Sequence, residues 1–114
     1  MFNNNKCVPC QIGSAPLNNN DINSFLNLID RNWDVLNGKR IVREFVFVSY
    51  LEAIKFVNLV ADLSEFEGHH PYIHINYKTI KIILFTHKIN GLHENDFLLA
   101  SKIDSKYQEN FNNS

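Results

Sequence analysis

The amino-acid sequence predicts an α+β domain: a four-stranded antiparallel sheet with helices packed on one face, in the order α-β-β-α-β-β-α. Three observations carry this. Short alternating runs come in two hairpin-like pairs, apolar residues recur at helical spacing in three longer runs, and the helical runs lie between and around the pairs.

The first helix is marked at its start. Asn18 is a good N-cap, Asp21 stands three residues on as in a capping box, and Leu17 and Ile22 are spaced as a hydrophobic staple. Ile22, Phe25, Leu26 and Ile29 recur at helical spacing, and the helix is expected to fail near Asn32. Trp33 to Leu36 reads as a short extended run. Asn37-Gly38 is a strong hairpin signal, because both residues tolerate positive φ. The partner strand, Ile41 to Val48, places Ile41, Arg43, Phe45 and Phe47 on one face and Val42, Glu44, Val46 and Val48 on the other. Both faces are largely apolar, so this strand is expected to be central or covered at an interface.

Ser49-Tyr50-Leu51-Glu52 is a capping box that opens a long helix. Its expected buried stripe is Ala53, Ile54, Val57, Val60, Ala61 and Ser64, and Gly68 is placed to terminate it. Tyr72 to Tyr77 and Thr79 to Thr86 form the second strand pair. Ile73, Ile75 and Tyr77 alternate on one, and Ile80, Ile82 and Leu84 on the other. A loop at Gly91 leads to a last amphipathic helix with Phe97, Leu98, Ala100 and Ile103, and the polar tail after Tyr107 is expected to fray.

A chain of 114 residues fits one domain. Pro9, Gly13 and Pro16 mark residues 1–17 as an irregular lead segment, leaving 18–114 as the folded domain. The 45% hydrophobic and 20% charged content is that of a globular chain. A net charge of -1 and a pI of about 6.5 favour neither nucleic acid nor an anionic membrane as the main partner. No apolar run approaches the ~20 residues that span a bilayer. Met1 to Lys6 lacks the pattern of a signal or transit peptide, so a soluble cytoplasmic protein is expected. A domain this small buries only about two-thirds of its unfolded surface. Together with the two apolar faces of the Ile41 strand, that leads to the expectation of a homodimer or homotetramer.

Cys7-Val8-Pro9-Cys10 can be a redox pair, half of a zinc site, or two bystander thiols. A redox pair normally opens a helix after a strand, whereas this one lies in the lead segment. A structural zinc needs two further soft ligands, and there is no second cysteine pair. Bystander thiols are the expectation.

The chemistry-bearing pattern is Glu65-Phe66-Glu67-Gly68-His69-His70-Pro71, then Tyr77, Thr86-His87, Gly91-Leu92 and Asp96. The first group lies at a helix C-terminus and Thr86-His87 where a strand leaves the sheet, so both sit at element ends where side chains can converge. In order and spacing this pattern resembles the pterin-4a-carbinolamine dehydratase family, also known as dimerisation cofactors of a homeodomain transcription factor. Trp33, Gly38, Ile41, Arg43, Phe45, Phe47, Ala53, Phe56 and Ala61 match family positions, as does Leu98-Ala100-Ser101-Lys102-Ile103. Cys7-Val8-Pro9-Cys10 with Pro16-Leu17 resembles the lead segment of one branch. Three positions depart: Ile73 stands where many members have Trp, Ile75 near a frequent Asn, and His93 where Ser or Thr usually follows Gly-Leu. The last change is expected to weaken the N-cap of the final helix by up to ~1 kcal/mol.

The resemblance implies a cofactor-free lyase that dehydrates a 4a-hydroxytetrahydropterin, such as 4a-hydroxytetrahydrobiopterin, to a quinonoid dihydropterin in tetrahydrobiopterin recycling. The ring nitrogen beside the carbinol can expel hydroxide if the leaving oxygen is protonated and a proton is removed from the pterin. Histidine suits both tasks, since its ordinary pKa near 6.5 leaves both forms available at neutral pH. By resemblance, the catalytic set is His69, His70 and His87, with His69 and His87 in proton transfer and His70 positioning substrate. Glu65, Pro71, Tyr77, Thr86 and Asp96 form the substrate-binding set. Glu65, one helical turn before His69, lies within side-chain reach of it, and Asp96 is expected to orient a histidine or the pterin.

Two other readings use the same residues. His69, His70, His74 and His87 with Glu65 or Asp96 could hold a metal, although the metal-free family expectation is none. Alternatively the chain could act without catalysis, as a dimerisation or coactivator-type binding protein with a protein partner.

Overall fold

The computed structural model describes residues 15–111. The Cys7–Cys10 pair lies outside the described residues.

Helix α1 (Asn19–Leu26) starts as its sequence dictates, with the Asn18 side chain accepting the Asp21 N–H at 2.8 Å. It ends at Leu26, earlier than the expected Asn32. The amides of Leu28 and Ile29 turn back to the carbonyls of Phe25 and Leu26, which tightens the chain so that Asp30 and Trp33 reach the last helix. Strands β1 (Asp34–Leu36) and β2 (Arg40–Val46) then pair across Asn37 and Gly38, both at positive φ (55° and 68°).

Helix α2 (Tyr50–Glu67) is capped by Ser49, whose hydroxyl accepts the Glu52 N–H at 3.2 Å. Its buried residues are Ala53, Phe56, Val60, Ser64 and Glu67. The expected stripe is therefore rotated: Ile54 and Val57 are only half-buried and Ala61 faces outward. Strands β3 (Tyr72–Asn76) and β4 (Thr79–Leu84) form the second hairpin, followed by one 3-10 turn (His87–Ile89) and helix α3 (Glu94–Phe111).

All pairings are antiparallel and the spatial order is β1-β2-β4-β3, so β2 is central as expected. Ile41, Arg43, Phe45 and Phe47 share the buried face with Ile80, Ile82 and Leu84, and the helices cover that face. The opposite face stays open at Val46 (65% exposed) and Val48 (76%). The tail does not fray at Tyr107. The Phe111 ring packs edge-on against Phe47 (5.2 Å) and Phe56 (5.9 Å), so α3 runs on. No helix among the described residues is long and apolar enough to cross a membrane.

One polar cluster ties the layers together. Asp104 of α3 accepts from Trp33 Nε1 at 2.9 Å and from Arg43 Nη1 at 2.7 Å, while Arg43 lies over the Phe45 ring at 4.3 Å. Burial pushes the Asp104 carboxyl up to about 6 from an ordinary 3.8; the Trp33 hydrogen bond and the Arg43 charge hold it from rising further. Between those two values the folded chain binds more protons than the unfolded one. The contribution of Asp104 to stability therefore falls as pH rises through that window, by about 3 kcal/mol for a shift of this size, and is level above it. Urea unfolding of wild type and Asp104→Asn should show a stability difference that shrinks over that range. A difference independent of pH would refute this.

Candidate active site

Gly68 ends α2 in the left-handed conformation (φ 68°), which a side chain rarely adopts. The amides of Gly68 and His69 both turn back to the Ser64 carbonyl, at 2.9 and 3.2 Å. This reversal sends the two histidines to different partners. His69 Nε2 lies 2.6 Å from Asp96 Oδ1, and His70 Nε2 lies 2.6 Å from Glu65 Oε2. The expectation that Glu65 reaches His69 is thus corrected. After the left-handed turn it is His70 that lies back over the helix.

The two pairs differ in environment. The His69 and Asp96 side chains are 14% and 0% exposed, those of His70 and Glu65 59% and 79%. An ion pair as exposed as the second contributes little to stability. Pro71 then carries the chain from His70 into β3, its fixed φ limiting the swing of this segment.

Asp96 is where three segments meet. Its Oδ1 serves His69, and its Oδ2 accepts from Thr86 Oγ1 and from the His93 backbone N–H, both at 2.9 Å. With every neighbour on the carboxylate a donor, His69 presents Nε2–H to it, leaving Nδ1 as the nitrogen free to take a proton. A buried Glu67–Lys102 pair (2.5 Å) joins the last turn of α2 to α3, holding His69 and Asp96 in register. The sequence carried no periodic signal for that pair.

His93 does not weaken the final helix in the expected way. Its imidazole Nδ1 accepts the Asn95 N–H at 3.0 Å, while its own N–H donates to Asp96 Oδ2. This is a variant of the capping box, with histidine in place of Ser or Thr and the second helical amide rather than the third as its donor.

His87 opens the turn that closes on Gly91, where the Thr86 N–H donates to the Gly91 carbonyl at 2.8 Å. Thr86 thus links His87 through one residue to Asp96 and His69. The exposed His87 ring packs at 4.3 Å on Phe85 and 6.1 Å from Tyr72. Those two aromatics were missed as site neighbours. The clue was the i, i+2 alternation of Phe85 and His87 and the pairing of Tyr72 with Ile83. The end of the lead segment crosses this loop: Leu17 N–H donates to the Leu92 carbonyl at 2.9 Å, and a Cβ at Gly91 would meet Pro16 Cβ at 2.7 Å.

Tyr77 is not brought to the histidines within one chain. It forms the β3–β4 turn at φ 55° and stacks on Tyr50 at the start of α2. That is a strand's length from Pro71, about 20 Å for six steps at ~3.3 Å per residue. His74 lies on the open sheet face opposite Lys81, apart from the site. Among the described residues no three His, Cys, Asp or Glu side chains gather closely enough to hold a metal ion.

A family model described as pterin 4 alpha carbinolamine dehydratase matches residues 15–106. A relative from Alkaliphilus metalliredigens, provisionally named a pterin-4-alpha-carbinolamine dehydratase, is 40% identical over 104 residues, covering 91% of this chain and 94% of its own. A solved structure from Brucella melitensis, described as a transcriptional coactivator/pterin dehydratase, is similar at a TM-score of 0.74 and 30% identity, over 79% of this chain and 96% of its own. Another, a pterin dehydratase-like protein described as a RuBisCO assembly factor in the alpha-carboxysome, matches at a TM-score of 0.56 and 25% identity, over 65% and 87%.

Proposed function

The chain belongs to the pterin-4a-carbinolamine dehydratase family, and from that premise we propose that it dehydrates a 4a-hydroxytetrahydropterin to the quinonoid dihydropterin by histidine acid–base catalysis. The observation that carries the reading is the buried Asp96 carboxylate 2.6 Å from His69 Nε2. A carboxylate there fixes the imidazole tautomer and favours the imidazolium once it forms. His69 then removes the pterin proton through Nδ1, and His87 protonates the departing hydroxyl. His70, oriented by Glu65, positions the ring system and favours charge on it. The ring nitrogen supplies the electron pair and water leaves, so no redox step or bound cofactor enters. Thr86 and Pro71 shape the frame, and Tyr77 contributes only by orienting the far end of the hairpin. Tetrahydrobiopterin recycling in the cytoplasm is the setting this reaction fits.

Stopped-flow absorbance on freshly generated 4a-hydroxytetrahydrobiopterin tests this. Catalytic amounts of the chain should accelerate formation of the quinonoid product well above the spontaneous rate. No acceleration by folded protein would overturn the reading. It would favour a binding role of the kind the descriptions of the two solved relatives name for those proteins.

The same reading includes a homo-oligomer. Val46 and Val48 on the open sheet face, with Leu51 and Phe66 on α2, remain exposed in a single chain. Light scattering at micromolar concentration should give a multiple of the 13.3 kDa chain mass. A stable monomer would refute it.

A further inference from the structure

The capping box of α3 contains a titratable group, and its other half is the carboxylate that holds His69. The Asn95 N–H donates to His93 Nδ1 at 3.0 Å, and the His93 N–H donates to Asp96 Oδ2 at 2.9 Å. Asp96 Oδ1 in turn lies 2.6 Å from His69 Nε2. Three hydrogen bonds thus run from one imidazole to another through the first turn of a helix. A hydroxyl or amide at the cap would accept at any pH. An imidazole Nδ1 accepts only while it carries no proton, because its single lone pair there is the acceptor.

We propose that His93 is a pH-responsive positioning residue: neutral, it completes the box that sets Asp96 against His69, and protonated, it releases that box. The inference rests on the proposed role of His69. A proton on Nδ1 sets N–H against the Asn95 N–H, at the positive end of the α3 dipole. The ring must then rotate away, which breaks the bond from the Asn95 N–H to His93 Nδ1. Asp96 keeps Thr86 and the His93 backbone N–H, but the first turn of α3 that orients it loses one of its two cap bonds. Among the described residues, the charged and titratable groups on the segments that meet at His93 are Asp96 and the adjacent Glu94 on α3, His69 behind Asp96 at the end of α2, and His87 and Lys88 on the turn that closes on Gly91. The segment against Leu92, Ala15 to Asn18, brings no ionisable side chain. Acid therefore acts on the site at two places, on the histidines that move protons and on the cap that positions one of them.

The test uses full-length wild type and His93→Ser, since serine caps at all pH values. In a proton NMR titration, the Asn95 amide of wild type should move with the same midpoint as the His93 ring, and should stay flat over that range in His93→Ser. The His69 ring resonances should lose a component at that midpoint in the variant. These readouts need no turnover, so they stand even if the chain proves not to be a dehydratase. In the stopped-flow assay, the wild-type to His93→Ser ratio should be near one where His93 is neutral. It should fall by roughly fivefold where His93 is charged, the size of a lost N-cap. An Asn95 amide that ignores the His93 ring in wild type overturns the proposal, with or without a folded variant. So does a His69 titration identical in the two proteins, or a rate ratio constant across pH.

Discussion

Replacing Asp96 by Asn should lower the single-turnover rate by ~10²–10⁴-fold while the fold persists. The surrounding donors dictate how the amide must sit. The His93 backbone N–H cannot reverse its direction, so the Asn oxygen takes the Oδ2 position and continues to accept from His93 and Thr86. The amide NH₂ then faces His69 Nε2, where Oδ1 stood 2.6 Å away. It can only donate there, so His69 must surrender its Nε2 proton and carry one on Nδ1 instead. The nitrogen proposed to accept the pterin proton is thereby blocked, and no carboxylate remains to favour the imidazolium. Steric size is almost unchanged and each hydrogen bond keeps a donor and an acceptor, so stability should move by only ~1–2 kcal/mol. Thermal unfolding and stopped-flow rates on one preparation check both halves. Near-wild-type turnover in well-folded Asp96→Asn would sink the assignment of His69.

His87→Ala should cost a comparable ~10²–10⁴-fold in the chemical step, with a different signature. Among the described residues the exposed His87 ring packs on Phe85 and Tyr72, and its removal there leaves no buried polar group unpaired. Melting temperature should hardly change. Affinity for a stable pterin product analogue should weaken far less than the rate, because His70 and the remaining contacts survive. The pH–rate profile should lose one limb, leaving the dependence set by the His69 side. Were His87 merely a packing residue, the variant would melt earlier while its folded fraction kept normal specific activity. That outcome would falsify the acid role.

The sequence by itself determined the features governed by neighbours in the chain. Asn18 and Ser49 cap helices because their side chains reach an amide three residues on, within one turn. Asn37-Gly38 makes the hairpin because both residues accept positive φ, and Gly68 ends α2 for the same reason. Period-two alternation grouped Ile41, Arg43, Phe45 and Phe47 on one face, and Ile80, Ile82 and Leu84 on one face of theirs, because a strand has only two faces to offer; the fold then buried those faces. The histidines, Thr86 and Asp96 stood out because their order and spacing resemble a family pattern, not because any one of them is distinctive by itself.

Tertiary structure decided what depends on contacts made at long range. The rotation of α2 toward Phe56 rather than Ile54 and Ala61 follows from packing against α3 and the sheet together. A helix apolar on several sides can settle in more than one phase. The early end of α1 serves the approach of Trp33 and Asp30 to Asp104, 71 and 74 residues away in the chain. The exchange of histidine partners has the same origin. Sequence distance favours Glu65 for His69, but the left-handed Gly68 turns His69 toward α3, where a carboxylate 27 residues on is already buried. Local spacing can propose which groups act, but the environment of each proton depends on which distant donors and acceptors the fold closes around it.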